Sequence, residues 1–359
     1  MAKLGSLTDT LIELLRIESI TGNEAEICSF VQHKLSSINP DLEVQRVANS
    51  LVVRGPFRED RSTVGLLGHL DTVPGTGYGD LVCCKEDRVI GLGASDMKGG
   101  DAVMLHLLSP EVLDQSRFNI VAVFYEREEG RFQENGLHQV FACCGSELSE
   151  IDLAFALEPT DNELHLGCVG VTNARVHFQG KRAHSARPWF GENAITKAGD
   201  FLSRLEAREP RKVRCGEVEF TEVWTATLAS GGIAVNIVPD SFDINVNLRV
   251  PPSITLASAK QSFTEFVQGQ AEIEFDNDHP SADAHTDNAL VQEFLRISAV
   301  PVAAKQAYTD VGLLGWHGIP AVNFGPGLAS QTHQAGEYVT VPLLERNFEL
   351  LKAFLVLPQ

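Results

Sequence analysis

The strongest constraint on the fold is a change of strand texture along the chain, reversed near its end. Over the first 170 or so residues the strand-like runs are almost wholly apolar, as in "STVGLLGH", "FNIVAVFYE" and "IDLAFALEP". They alternate with helical patterns near residues 6–16 and 23–37 and through "MKGGDAVMLHLL". Apolar strands separated by helices read as an α/β domain whose sheet is covered on both faces. From about Val171 the texture switches: "TNARVHFQGKRAH" and "DSFDINVNLRVPP" alternate apolar and polar residues with period two, and two helical stretches accompany them. That alternation marks an antiparallel sheet with one wet face. Apolar "IPAVNFGPG" and a helix at "LLERNFELLKAFL" then restore the first texture. The expected architecture is a mixed-sheet α/β domain over residues 1–171 and 282–359, interrupted by a smaller α+β domain over 172–281.

Charge and composition narrow the function. With 29 basic against 48 acidic residues the net charge is -19, which opposes nucleic acid and anionic membrane surfaces as partners. An anionic substrate would therefore need local positive charge, and Lys181, Arg182 and Arg187 cluster in sequence around His184. No run approaches the roughly 18 apolar residues of a membrane span, and acidic residues interrupt the apolar positions of the N-terminal helix, unlike a signal peptide. A cytoplasmic enzyme is expected. The seven cysteines show neither metal-binding C-x-x-C spacing nor the density of a disulfide scaffold, and read as free thiols.

His69, Asp96, Glu128, Glu129 and Glu158 each follow, or end, an apolar run or turn of the α/β part, at the edge where open α/β sheets bind ligands. Each alone has an ordinary explanation as a strand-end histidine, a helix cap or a solvated acidic turn. Together with His333 in "QTHQAGE" they make up the imidazole and carboxylate set that zinc takes. Two metals about 3.5 to 4 Å apart need one bridging carboxylate and about two further ligands each. Asp96 as bridge, His69 with Glu158 on one ion, and Glu129 with His333 on the other meet that requirement. Three ligand carboxylates against two divalent cations leave about one positive charge, which polarises a carbonyl. Glu128 remains as a general base. Asp71, two residues after His69, fits the carboxylate that orients a metal-bound imidazole.

The motifs "GHLDTVPG", "GLGASDMKGGDAVML", "FYEREEG", "FALEPTD", "GKRAHSARPWFGENAI", "GGIAVNIVPD" and "VNFGPGLASQTHQAGEYV" occur in this order. As a set they resemble the co-catalytic zinc aminoacylase and carboxypeptidase family over nearly the whole chain. The resemblance implies the same ligands, Asp71 as orienting residue and Glu128 as base, with two zinc ions for which cobalt can substitute. It implies hydrolysis of an amide in a small anionic N-acyl amino acid. It further implies a homodimer through residues 172–281, with His184 reaching the partner's active site to stabilise the oxyanion, and Asn236 and Arg249 binding substrate. Glu126 in "YEREEG" adds a third carboxylate to the acidic turn. Glu128 is preferred as base because it immediately precedes Glu129 and the glycine.

Overall fold

The computed structural model describes residues 5–75 and 82–356. The chain forms two compact units, one of residues up to Gly167 with Ala284–Lys305 and the chain from Thr309, the other of Cys168–Asp283 with Gln306–Tyr308. These boundaries lie a few residues outside 172–281, because Cys168 pairs with Ala282 in a bridge that closes the base of the second unit. Gln306 joins that unit through hydrogen bonds between its side chain and the main chain of Thr221.

The first unit opens with α1 (Leu7–Leu15), started by a capping box between Ser6 and Asp9, and α2 (Ala25–Ile38). "LEVQRVANSLVVRG" folds as a hairpin of β1 (Glu43–Val47) and β2 (Ser50–Arg54). β3 (Thr63–His69) is buried at all seven positions, as its apolar run requires. A small hairpin of β4 (Cys83–Lys85) and β5 (Arg88–Ile90) precedes α3 (Lys98–Leu107) and α4 (Pro110–Leu113). β6 (Asn119–Tyr125), α5 (Gly136–Leu148), β7 (Leu153–Pro159) and β8 (Leu164–Leu166) complete the first stretch. α3 lies so close to the sheet that a Cβ on Gly100 would sit 2.6 Å from the Leu157 carbonyl oxygen. The buried Lys98 ammonium caps the end of α1 by donating to the carbonyls of Leu14 and Ile17.

The second unit is built on β9 (Gly170–Gln179), which leads through β10 (Ala183–His184), α6 (Ala194–Lys197) and α7 (Gly199–Glu206) to β11 (Arg211–Cys215). β12 (Val218–Gly231), β13 (Ile237–Val238), β14 (Ser241–Val250), α8 (Leu256–Val267) and β15 (Glu272–His279) follow. Five strands pair antiparallel in the order β11-β12-β14-β9-β15, while β10 and β13 form a separate ribbon. Period-two patterning gives this sheet one apolar face, where Val176, Phe178, Ile244 and Val246 pack with Phe201 of α7 and Phe263 of α8.

The chain then supplies α9 (Ala289–Ser298), β16 (Val302–Ala304), α10 (Val311–Trp316), β17 (Ala321–Gly325), β18 (Tyr338–Thr340) and α11 (Val341–Val356) to the first unit. Its main sheet has the order β1-β2-β6-β3-β7-β17-β8-β16. The central four, β6, β3, β7 and β17, are parallel, so their C-terminal ends share one edge. The mixed α/β architecture with an inserted antiparallel α+β unit is the one the texture of the sequence predicts.

Candidate metal centre

Parallel pairing of the four central strands gathers residues that are far apart in sequence. β3 ends on His69, β6 runs into the turn carrying Glu128 and Glu129, β7 carries Glu158 beside its last residue, and β17 leads into the loop that carries His333. Asp96 comes from the turn that opens α3. Its Oδ1 lies 3.2 Å from His69 Nε2 and its Oδ2 3.6 Å from His333 Nε2. Ligand atoms of His69, Asp96 and Glu158 lie within 4.8 Å of one another, as do those of Asp96, Glu129 and His333 and those of His69, Glu128 and Glu129. Asp96 is thus common to two triads, one oxygen toward each histidine.

The electrostatics of the set fit divalent cations. Two imidazoles stand among the carboxylates of Asp96, Glu128, Glu129 and Glu158. Burial pushes Glu128 well above the usual carboxylate range, and burial with the neighbouring Asp96 pushes Glu158 up to about 7. Burial would lower the His69 imidazole, but Asp71 and Asp96 outweigh it and hold it well above its usual value. His333 is pulled up to about 9, chiefly by its 2.9 Å hydrogen bond to Glu129 Oε1. Such a surplus of buried negative charge is relieved by metal ions, which displace the protons held by ligand histidines.

The surrounding hydrogen bonds refine two expectations. His69 Nδ1 meets the main-chain carbonyl of Asp71 at 3.0 Å, while the Asp71 carboxylate stands 3.6 Å away. That fully buried carboxylate instead accepts the N–H groups of Glu128 at 3.0 Å and Glu129 at 3.1 Å and the Thr21 hydroxyl at 2.9 Å. Asp71 therefore holds the turn that carries Glu128 and Glu129, and its main-chain carbonyl orients the His69 imidazole. Glu126 is spent elsewhere: its two oxygens accept from the main chain and side chain of Asn49. It belongs to none of the three ligand groups.

Two acidic residues escaped the sequence reading. Glu337 is 2% exposed and accepts three main-chain N–H groups from the turn before Asp96. Asp310, also buried, accepts from Asn135 at 2.6 Å and, after burial, is the chief charge raising both Tyr125 and the net acidity cost at Glu128. Glu337 lies in the quoted "QTHQAGE" four residues after His333, but the sequence does not show that its partners are in the turn before Asp96, and Asp310 lies in none of the quoted motifs.

Within the second unit, His184 is exposed on β10 and its Nδ1 accepts the Ala186 N–H at 3.1 Å. The neutral ring then carries its proton on Nε2. The Asn236 carbonyl accepts the Ser185 N–H, which places Asn236 on the same ribbon. Arg249 lies opposite Val171 and Val223, half-buried, and among the described residues no hydrogen bond or ion pair engages its guanidinium. Arg182 is paired with Asp240 at 2.6 Å.

The parallel-sheet edge with two histidine-carboxylate triads and a spare glutamate defines a metal-dependent hydrolase. A family profile described as a peptidase dimerisation domain matches residues 166–275. The putative succinyl-diaminopimelate desuccinylase of Mycobacterium tuberculosis is 34% identical over 95% of this chain and 96% of its own. The succinyl-diaminopimelate desuccinylase of Corynebacterium glutamicum is 31% identical over 97% and 95%. The chain belongs to the M20 metallopeptidase family, alongside these desuccinylases. Its fold is that of a Staphylococcus aureus tripeptidase, with a TM-score of 0.81 at 22% identity over 97% of this chain and 96% of that one. An M20 family metallo-carboxypeptidase of Sulfolobus solfataricus gives a TM-score of 0.78 at 16% identity over 99% of both.

Proposed function

We propose that the chain hydrolyses N-succinyl-LL-2,6-diaminopimelate to succinate and LL-2,6-diaminopimelate, a cytoplasmic step of diaminopimelate and lysine biosynthesis, with two zinc ions that cobalt can replace. The observation that carries this reading is the pair of triads sharing Asp96, with Glu128 unspent beside them. The substrate rests on relatives named for this reaction that align over nearly the full chain.

In this reading Asp96 would be shared between the ions, His69 and Glu158 would hold one, and Glu129 and His333 would hold the other. When bound, the ions polarise the scissile carbonyl and lower the pKa of water. Glu128 accepts a proton from the attacking water and returns it to the departing amine nitrogen, so that the C–N bond breaks after the C–O bond forms. The Nε2–H of His184, fixed by the Ala186 contact, suits a donor to the developing oxyanion. Arg249, whose guanidinium makes no hydrogen bond or ion pair among the described residues, offers a bidentate fork to a substrate carboxylate, with Asn236 as a further polar contact.

A homodimer through residues 172–281 is supported by an open strand edge. β11 pairs only with Val218–Glu222 of β12, and among the described residues no strand covers the outer side of β12 beyond it. Leu228 on that stretch is 72% exposed and Ile233 just after it 66%. Such an edge favours strand addition by a second copy.

Succinate release from succinyl-diaminopimelate, measured beside acetylornithine and simple dipeptides, tests the reading. Turnover of succinyl-diaminopimelate with near two zinc ions per chain is expected. Turnover of acetylornithine or dipeptides alone would replace the substrate while keeping the centre.

A further inference from the structure

The loop that carries His333 is pinned at both ends to the turn that carries Asp96. At one end, Ser95 Oγ accepts the Leu328 N–H at 2.9 Å, and Gly327 lies so close that a Cβ there would be 2.1 Å from the Ser95 carbonyl oxygen. At the other end stands Glu337, four residues after His333. Its Oε1 accepts the N–H groups of Ser95 at 2.7 Å and Asp96 at 2.9 Å, and its Oε2 that of Gly93 at 3.0 Å. Its own carbonyl accepts the Gly91 N–H at 2.9 Å, and Ser95 Oγ donates to the next carbonyl, that of Tyr338, at 2.7 Å. Between these anchors His333 holds a left-handed backbone at φ 59. His333 itself is half-exposed, so burial does little to fix it.

We propose that Glu337 is a positioning residue that sets the separation of Asp96 and His333, and with it the capacity of the centre to hold its second metal ion. The inference rests on the two-ion reading above. A carboxylate cradled by three main-chain donors is a rigid strut, because removing either oxygen strands a buried N–H. No other side chain accepts from both Gly93 and Asp96 among the described residues. The strut does not touch substrate or ion; it acts through the two ligands it spaces.

Metal-free protein titrated with zinc by calorimetry, with melting temperatures taken before loading, provides the test. Parent protein is expected to bind two ions. Glu337→Gln puts an amide NH2 where one oxygen accepts, and is expected to weaken the second ion about 10- to 100-fold, the usual cost of losing an outer partner of a metal ligand, and the first ion, which shares Asp96 but not His333, by much less. The stranded main-chain N–H should lower the metal-free melting temperature modestly, so the unequal effect on the two ions is the mark of positioning. Ser95→Ala, which loosens the same junction and is the fallback if Glu337→Gln does not fold, should weaken the second ion in the same direction by less. Two ions bound at parental affinity in these variants would overturn the role. So would equal weakening of both ions with a matching loss of metal-free stability, the mark of a merely structural residue. A parent that takes up fewer than two ions would instead overturn the two-ion reading itself, and this role with it.

Discussion

Glu128 and Glu129 are adjacent in sequence, but their carboxylates keep different company. Glu129 meets His333 at 2.9 Å and groups with Asp96, whereas Glu128 belongs only to the group that lacks Asp96. Glu128→Gln is expected to lower kcat by about 10²- to 10⁴-fold, the range for a lost general base, while zinc content stays at the parental value. Metal analysis beside steady-state kinetics checks both halves, and a drop in zinc would make Glu128 a ligand instead. Asp71 acts one step further out. Its carboxylate fastens the main chain of both glutamates, so Asp71→Ala should cost about 10- to 100-fold in zinc affinity or activity, less than the loss of a ligand. Zinc titration of the two proteins measures it. The candidate set was legible because imidazoles and carboxylates at strand ends are rare in combination, and the fold brings these side chains within 4.8 Å of one another in three groups. The task of Asp71 was legible only in part, since sequence spacing shows neighbours along the chain and not which main-chain N–H a carboxylate meets. Glu337 and Asp310 were hidden for the same reason: their partners lie in segments far removed in sequence.

At the scale of elements, the long buried strands were the legible ones. β3, β6 and β7 each carry seven buried residues, enough apolar chain to stand out, and β9 and β14 carry ten residues of clear alternation. β4, β5, β8, β16 and β18 have three residues each, too few to establish any period. Helix packing carries a pH dependence of its own. His106 of α3 hydrogen-bonds Thr10 of α1 at 3.0 Å and meets Phe348 of α11 edge-on. Burial holds its pKa down to about 4, whereas the ordinary value, taken in the unfolded chain, is 6.5. Between those two values the unfolded state binds the extra proton, so this histidine's contribution to stability falls as pH drops through the window. His106→Gln keeps a hydrogen-bonding side chain without the titration. Its melting temperature is expected to fall less than the parent's between neutral pH and about pH 5. Parallel slopes for the two proteins would show that His106 does not set the acid sensitivity of this packing.

At the scale of the molecule, the insertion was legible because two strand periodicities exclude each other within one sheet face. The returning segment had to rejoin the first unit for β17 to lie between β7 and β8. The exact crossover was not legible: the Cys168–Ala282 bridge and the adhesion of Gln306 to Thr221 come from pairing, which no local pattern announces. Dimerisation and the reach of His184 rest on the resemblance and on the open edge of β12. Together they make a prediction that neither protomer can satisfy alone. If the oxyanion donor comes from the partner subunit, Glu128→Gln and His184→Ala proteins are each nearly inactive, yet a mixed dimer contains one site with both groups intact. Random exchange makes half of the dimers mixed, each with one working site of two, so an equimolar mixture should recover about a quarter of parental activity. Activity that stays at the level of the separate variants after demonstrated subunit exchange would place His184 in its own protomer's chemistry or outside it. Leu228→Lys offers the complementary measurement, since a charge on the open edge should shift the dimer toward monomer in light scattering and abolish the recovery.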